Sequence, residues 1–449
     1  MNKKIKFFFI ILTLIIFSGC SFDNKTGIWK DEQKELQRAS DLEKEQKKIK
    51  KIRIFSTAIE NIKELAVTQN IILSNPKKIY EWKMPGLNLQ NSVTNIHLPS
   101  IENRFLKKKV GKNKFLISKV SSGPLVFNEG IIITDDTGSI FSIRKNGKKK
   151  WKRNIYKKVY KKVYKNLSTF IHKDKIFVAD NIGFIYSINL DNGRIEWIKN
   201  HGIPFKSNIK VFDEKIFVIN QDNRLISFDV KDGSKVWDIR SISSFIKSQY
   251  FLGLGISKKG NIVTLGSSGE LLFIESASGN VIWSQNVTDA VSSYSKDFFK
   301  SSDILIDDEN IIFSTSSKVY SFNLYNGYLN WQQEVRSVNT PIVDGKNIFL
   351  VSENGFFICL NKKSGEIIYS VNVIKSLKKR KQETFVTGFI LGSGNMYITT
   401  LNGFLIVSSA NSGSVKYIKK IGNIITAPLV IADSSLYVLT ENSTIFGFN

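Results

Sequence analysis

The chain has 449 residues and a formal net charge of +26, with 42% hydrophobic and 12% aromatic residues. That apolar content excludes a wholly disordered chain, and two cysteines exclude a disulfide-stapled scaffold. Three histidines, His97, His172 and His201, lie scattered in no metal-ligand or triad spacing, so hydrolytic metal or triad chemistry is not expected.

Residues Met1 to Lys6 are basic, and Phe7 to Phe17 is apolar apart from Thr13. Ser18-Gly19-Cys20 follows. A basic start, a short apolar run and small residues before a cut form a secretory signal, too short to span a bilayer. The Cys after Ser-Gly resembles a bacterial lipobox, with Phe17 where Leu is usual. This implies a signal over residues 1–19 and a lipidated Cys20 as the first mature residue; an ordinary cleaved signal is the alternative. With no Asp after Cys20, the resemblance points to the periplasmic face of an outer membrane.

Residues 20–75 form the next region. Asp23 to about Lys51 is charged, Gln-rich and poor in aromatics, which suits either a solvated helix or a disordered tether. Ile52 to Asn70 holds enough apolar residues to pack on a globular body.

Residues 76–449 carry a repeat. Its fullest copy is IFVADNIGFIYSINLDNGRIEW, Ile176 to Trp197, echoed by IFVINQDNRLISFDVKDGSKVW and IFLVSENGFFICLNKKSGEIIY. A period of roughly 40–45 residues with about four strands marks a β-propeller blade. Asn192-Gly193, Asp232-Gly233, Ser278-Gly279, Asn326-Gly327, Ser364-Gly365 and Ser412-Gly413 supply the positive φ of tight hairpins. Four residues after each Gly stands a ring: Trp197, Trp237, Trp283, Trp331, Tyr369 and Tyr417, with Trp151 after Asn146-Gly147 in the first copy. Rings at a fixed place in every repeat are expected to wedge between adjacent blades. The last copy ends at Asn449 without its ring-bearing strand, and a ring of blades must close. The segment around Trp82 is therefore expected to complete the final blade, making an all-β, eight-bladed propeller of seven internal blades and one shared.

Little in the chain points to catalysis. Asp135-Asp136, Asp222 and Asp307-Asp308 fall in expected turns, without the D-x-D-x-D-G order of a calcium loop. Cys359 lies in an apolar strand, and no phosphate loop or nucleophile elbow occurs. No cofactor is expected. The stretch Lys145 to Lys165 has no acidic residue, and Lys107 to Lys109 is a smaller basic cluster. For an exported chain these suit anionic lipid or an acidic protein face rather than nucleic acid, with a plain solvated loop as the alternative.

Glycine in the turn and an aromatic closing each unit resemble the pyrroloquinoline-quinone-type repeat. The lipobox, eight blades and lack of chemistry together resemble the BamB family, propeller lipoproteins of outer-membrane β-barrel assembly. Glu81-Trp82-Lys83-Met84-Pro85-Gly86-Leu87-Asn88, with Asn91 and His97-Leu98 beyond, is similar to the family's W-x-x-P-G-G-N stretch, Leu87 replacing the second Gly. The resemblance implies a non-catalytic scaffold that binds periplasmic domains of the barrel-inserting subunit and helps nascent barrel proteins reach it. Its contact loops would be Ser241 to Gln249, with Phe245, Ile246 and Lys247, and Thr288 to Asp303, with Asp297. A generic envelope protein-binding propeller and a quinone-dependent dehydrogenase are the alternatives. The dehydrogenases carry adjacent cysteines, which this chain lacks.

Overall fold

A computed structural model describes residues 21–22, 29–30, 32–49, 62–115, 122–241, 247–248, 250–287, 300–378 and 384–449. Runs such as Ile176–Ala179 and Ile185–Ile188 are buried along their whole length, as strands covered on both faces must be. Each repeat folds into an antiparallel four-stranded sheet, and there are eight such sheets among the described residues. Blades 1 to 7 span 125–154, 167–200, 210–240, 253–286, 305–333, 342–372 and 386–420. Their first strands neighbour one another around a common axis, and their fourth strands form the rim. The expected eight-bladed propeller is what the chain forms.

The recurring rings seat each blade on the next. Trp151 Nε1 donates to Leu190 O at 2.9 Å, Trp283 Nε1 to Leu324 O at 3.0 Å, and Trp331 Nε1 to Lys362 O at 2.9 Å. Trp197, Trp237 and the hydroxyl of Tyr369 make the same inter-blade bond. The turn glycine of the receiving blade lies flat against the ring. A Cβ on Gly365 would stand 2.5 Å from Trp331, and one on Gly193 2.6 Å from Trp151. Glycine therefore does two things there: it takes the positive φ, and it lets the ring approach. Tyr417 differs, at 44% exposed, because the eighth blade offers no hairpin turn to receive it.

Closure differs from expectation at one point. The eighth blade contains 430–448 and takes its outer strand from Leu106–Lys109, which pairs with Thr444 to Gly447. An N-terminal strand does close the ring, but it is not the Trp82 segment. In each other blade the ring stands two strands across from a buried residue, as Trp197 does through Ser187 to Phe177. The same register runs from Tyr437 through Gly447 to Leu106. Leu106 thus occupies the aromatic position, and the Phe105 ring lies edge-on to Tyr437 at 6.1 Å. Without an aromatic at that site, and with three lysines following, the strand lacked the repeat's signature. Trp82 is buried instead against blade 1, pairing with Val126.

Residues Glu32–Ile49 form a helix, α1, docked on the propeller. Arg38 Nη1 donates to Asn200 Oδ1 at 2.9 Å, and its guanidinium sits 5.6 Å from the Phe184 ring centre. Gln46 exchanges two hydrogen bonds with the backbone of Tyr164, and Lys157 lies 3.8 Å from Glu35. The helix thus covers part of the basic stretch Lys145 to Lys165 and sets Glu35 against Lys157, while its five acidic and five basic residues leave it with no net charge of its own.

Candidate functional site

Two surfaces stand apart from the repeating blades: a segment across one mouth of the ring, and the connections that emerge at the other. The first begins with a turn at Met84–Leu87, closed by Leu87 N to Met84 O at 3.3 Å. Gly86 has φ +77°, and a Cβ there would fall 2.2 Å from Asn91 Oδ1. Leu87 has φ +72°, so the residue standing where the family motif has glycine holds a left-handed backbone, at about 1–2 kcal/mol. Its packing on the main core offsets that cost.

From Ile79 to Ile96 the segment visits every blade in order. Ile79 O accepts from Asp433 N beside blade 8, Trp82 pairs with Val126 of blade 1, and Lys83 O accepts from Ile171 N of blade 2. Pro85 O and Asn88 O receive Lys210 Nζ of blade 3 at 3.3 and 3.0 Å. Leu89 O and Gln90 O accept from Ile256 N and Ile306 N of blades 4 and 5 at 2.9 Å each. Asn95 N donates to Asp344 of blade 6, and Ile96 N to Leu391 O of blade 7. One extended segment therefore caps the axis by hydrogen-bonding to all eight blades, through backbone groups in six of them and through the side chains of Lys210 and Asp344 in blades 3 and 6.

Asn91 and Lys210 clamp this cap. Asn91 Nδ2 donates to Leu254 O at 2.9 Å and Ile304 O at 2.7 Å, while its Oδ1 accepts from Lys210 Nζ at 2.5 Å. Lys210 is fully buried, and burial lowers its pKa to about 8, opposed by the charge of Asp303. Asp303 itself is raised by burial, against Lys210 and hydrogen bonds from Leu254, Asn208 and Ile304. Below pH 8 both folded and unfolded chains carry the Lys210 proton; between pH 8 and 10.5 only the unfolded chain does, so stability rises with pH. Between pH 7 and 9.5 Lys210 should add about 2 kcal/mol to the unfolding free energy. Urea unfolding of Lys210→Met should lack that increment. The sequence carried a signal for this residue: a lone lysine in the apolar run Ile209-Lys210-Val211-Phe212.

The opposite mouth is ringed by the connections between blades and by the turns joining second and third strands. Asp180 anchors one such turn, accepting from the backbone N–H of Ile182, Gly183 and Phe184 and from the Tyr156 hydroxyl. Burial raises its pKa, opposed by those bonds. Asp135 serves the same way through Thr137 and Ser139, a turn role rather than a ligand role. Among the described residues no three His, Cys, Asp or Glu side chains gather as a metal site.

The connection from blade 3 to blade 4 is pinned at both ends. Ser241 donates to the Glu270 carboxylate, and Ser248 N donates to Gln221 O at 2.8 Å. Lys247 between them is exposed. Phe245, Ile246, Asp297 and Cys20 lie outside the described residues. Below this connection, Ile219, Leu225, Ile239 and Leu272 line a small cleft between the two blades, with Glu270 at its edge.

Comparison with known proteins agrees with this architecture. The family model described as outer membrane protein assembly factor BamB matches residues 136–371, just over half of the chain. BamB of Yersinia pestis is 21% identical over 393 residues, covering 81% of this chain and 95% of that protein. An uncharacterized protein of Rickettsia prowazekii is 23% identical over 397 residues, covering 84% and 93%. Among solved structures, BamB from Moraxella catarrhalis superposes with a TM-score of 0.62 at 12% identity, covering 77% of this chain and 100% of that one. A europium-containing methanol dehydrogenase superposes at 0.61 and 11% identity, covering 80% and 89%, and a quinohemoprotein alcohol dehydrogenase from Comamonas testosteroni at 0.60 and 9% identity, covering 92% and 84%, so the fold is shared with dehydrogenases. A complete eight-bladed ring, closed by an N-terminal strand and matched by the family model across its central blades, places the chain in the BamB family of outer membrane protein assembly factors.

Proposed function

We propose that this chain is a non-catalytic scaffold lipoprotein of the outer-membrane barrel-assembly machinery. Acyl chains on Cys20 hold it to the periplasmic face of the outer membrane, after removal of residues 1–19. Its loop-bearing mouth binds periplasmic domains of the barrel-inserting subunit and aids insertion of nascent barrel proteins. The observation that carries this reading is the blade 3–4 connection: its ends are pinned at Ser241 and Ser248, and it presents Lys247 to solvent. A charge next to the apolar pair Phe245-Ile246 suits an interface hot spot.

The test is co-purification with the barrel-inserting subunit from the native envelope. Phe245→Ser with Lys247→Glu should reduce recovery by about tenfold or more, the size of a lost hot spot. Unchanged recovery in this variant and in variants of the blade 4–5 connection would end the proposal.

The dehydrogenase superposition motivates one check of the alternative. Cys20 and Cys359 are remote in sequence, and Cys359 is fully buried with its thiol pushed well up by burial. Neither provides an adjacent cysteine pair. Incubation with pyrroloquinoline quinone and calcium should produce no dye reduction with alcohols.

A further inference from the structure

The charge on the rim is segregated by blade. The closing strand Leu106–Lys109 exposes Lys107, Lys108 and Lys109. The outer strand of blade 1, Lys149–Asn154, exposes Lys149, Lys150, Lys152 and Arg153. That of blade 7, Val415–Lys420, adds Lys416, Lys419 and Lys420. These three strands are consecutive around the ring and contain no acidic residue. The outer strands of blades 4 and 5, across the axis from blades 8 and 1, and of blade 6 contain no Lys, Arg, Asp or Glu at all, and that of blade 3 mixes Lys235 and Arg240 with Asp238.

Lysine on an edge strand guards against edge-to-edge pairing. That need is equal in every blade, so it does not account for an uneven distribution. Several of the lysines are held in place: Lys107 lies 5.9 Å from the Phe446 ring centre, Lys152 5.1 Å from Phe141, and Lys419 5.1 Å from Phe448. Their stems lie on aromatic faces, which lowers the ordering cost of presenting the ammonium groups together. Lys150 is ion-paired to Glu129 at 2.8 Å and Asp191 at 3.2 Å.

The helix α1 adds direction. It docks beside blades 1 and 2 and begins at Glu32, twelve residues after Cys20. Such a length of chain reaches at most about 40 Å. We infer that the rim of blades 7, 8 and 1 is a docking surface for anionic phospholipid headgroups, setting the propeller edge-on against the bilayer. The direction of approach rests on acylation of Cys20; the charge segregation does not. Each basic side chain at an anionic surface contributes additively, and the attraction is confined to about a Debye length.

Acylated protein labelled with a fluorophore at Lys108→Cys, or at Ile282→Cys on blade 4, tests this on vesicles containing brominated lipid. Buried Cys359 remains unlabelled. With about one third phosphatidylglycerol, quenching at 108 should exceed that at 282 by about threefold or more. The difference should vanish in about 0.5 M salt, where the Debye length falls to about 4 Å. It should also vanish when Lys107, Lys109, Lys149 and Lys152 are all changed to Glu, and persist when they are all changed to Arg. Equal quenching at both positions, or a difference indifferent to salt, would overturn the inference. Protection of the rim lysines in whole envelopes without selective quenching on vesicles would overturn it in favour of an acidic protein. Failure to float with neutral vesicles would count against acylation alone, leaving the 108-to-282 contrast on anionic vesicles to decide the docking surface.

Discussion

Trp331→Ala should lower the unfolding free energy by about 3–5 kcal/mol, read from urea unfolding followed by far-ultraviolet circular dichroism. The ring is nearly buried, donates to Lys362 O, and lies against Gly365 at the next blade. Removing it opens a cavity and strands a carbonyl at the same stroke. Tyr417→Ala is the internal control. That ring holds the same register in blade 7, yet it is 44% exposed and meets no hairpin, so its loss should cost less than about 1 kcal/mol. Equal costs at the two positions would show that the rings act through their own sheets rather than between sheets.

Asn91→Ala should cost about 2–5 kcal/mol by the same measurement. The side chain is buried and gives two hydrogen bonds to inner strands of blades 4 and 5 while receiving one from Lys210 of blade 3. Alanine would leave two buried carbonyls short of a donor and an ammonium group short of an acceptor. Asn91→Ala combined with Lys210→Met should be less damaging than the sum of the two, because the second change removes the group the first one orphans. Strict additivity would argue against the clamp.

Much of the propeller could be read in advance because each blade repeats its own instructions. Turn glycines sit four residues ahead of rings, and both recur with the strands they join. The closing strand was illegible for the opposite reason. Leu106 fills the aromatic position with an aliphatic side chain, and its partner Gly447 lies at the far end of the chain, so no local periodicity marks it. Trp82 attracted the assignment because it is a ring in an apolar context, but its burial serves the axial cap. That cap was only half legible: Gly86 and Asn91 could be matched to a motif, whereas the circuit of all eight blades comes from tertiary contacts alone. The helix over 32–49 shows a further limit. Its pattern is polar almost throughout, and what fixes it is Arg38 reaching Asn200 of blade 2 and Gln46 reaching the backbone of Tyr164 in the connection between blades 1 and 2.

The way the ring is fastened bears on how the chain can acquire its shape. Asn103 and Asn449 hydrogen-bond across 346 positions, so an edge made early waits for residues made much later before it has a partner. The axial cap, too, is synthesised ahead of every sheet it must join. Ribosomal emergence therefore cannot lock the molecule progressively, and such distant pairings predispose to slow maturation. Loss of even the final few residues should leave an open arc, vulnerable to proteases, in place of a slightly shortened disc.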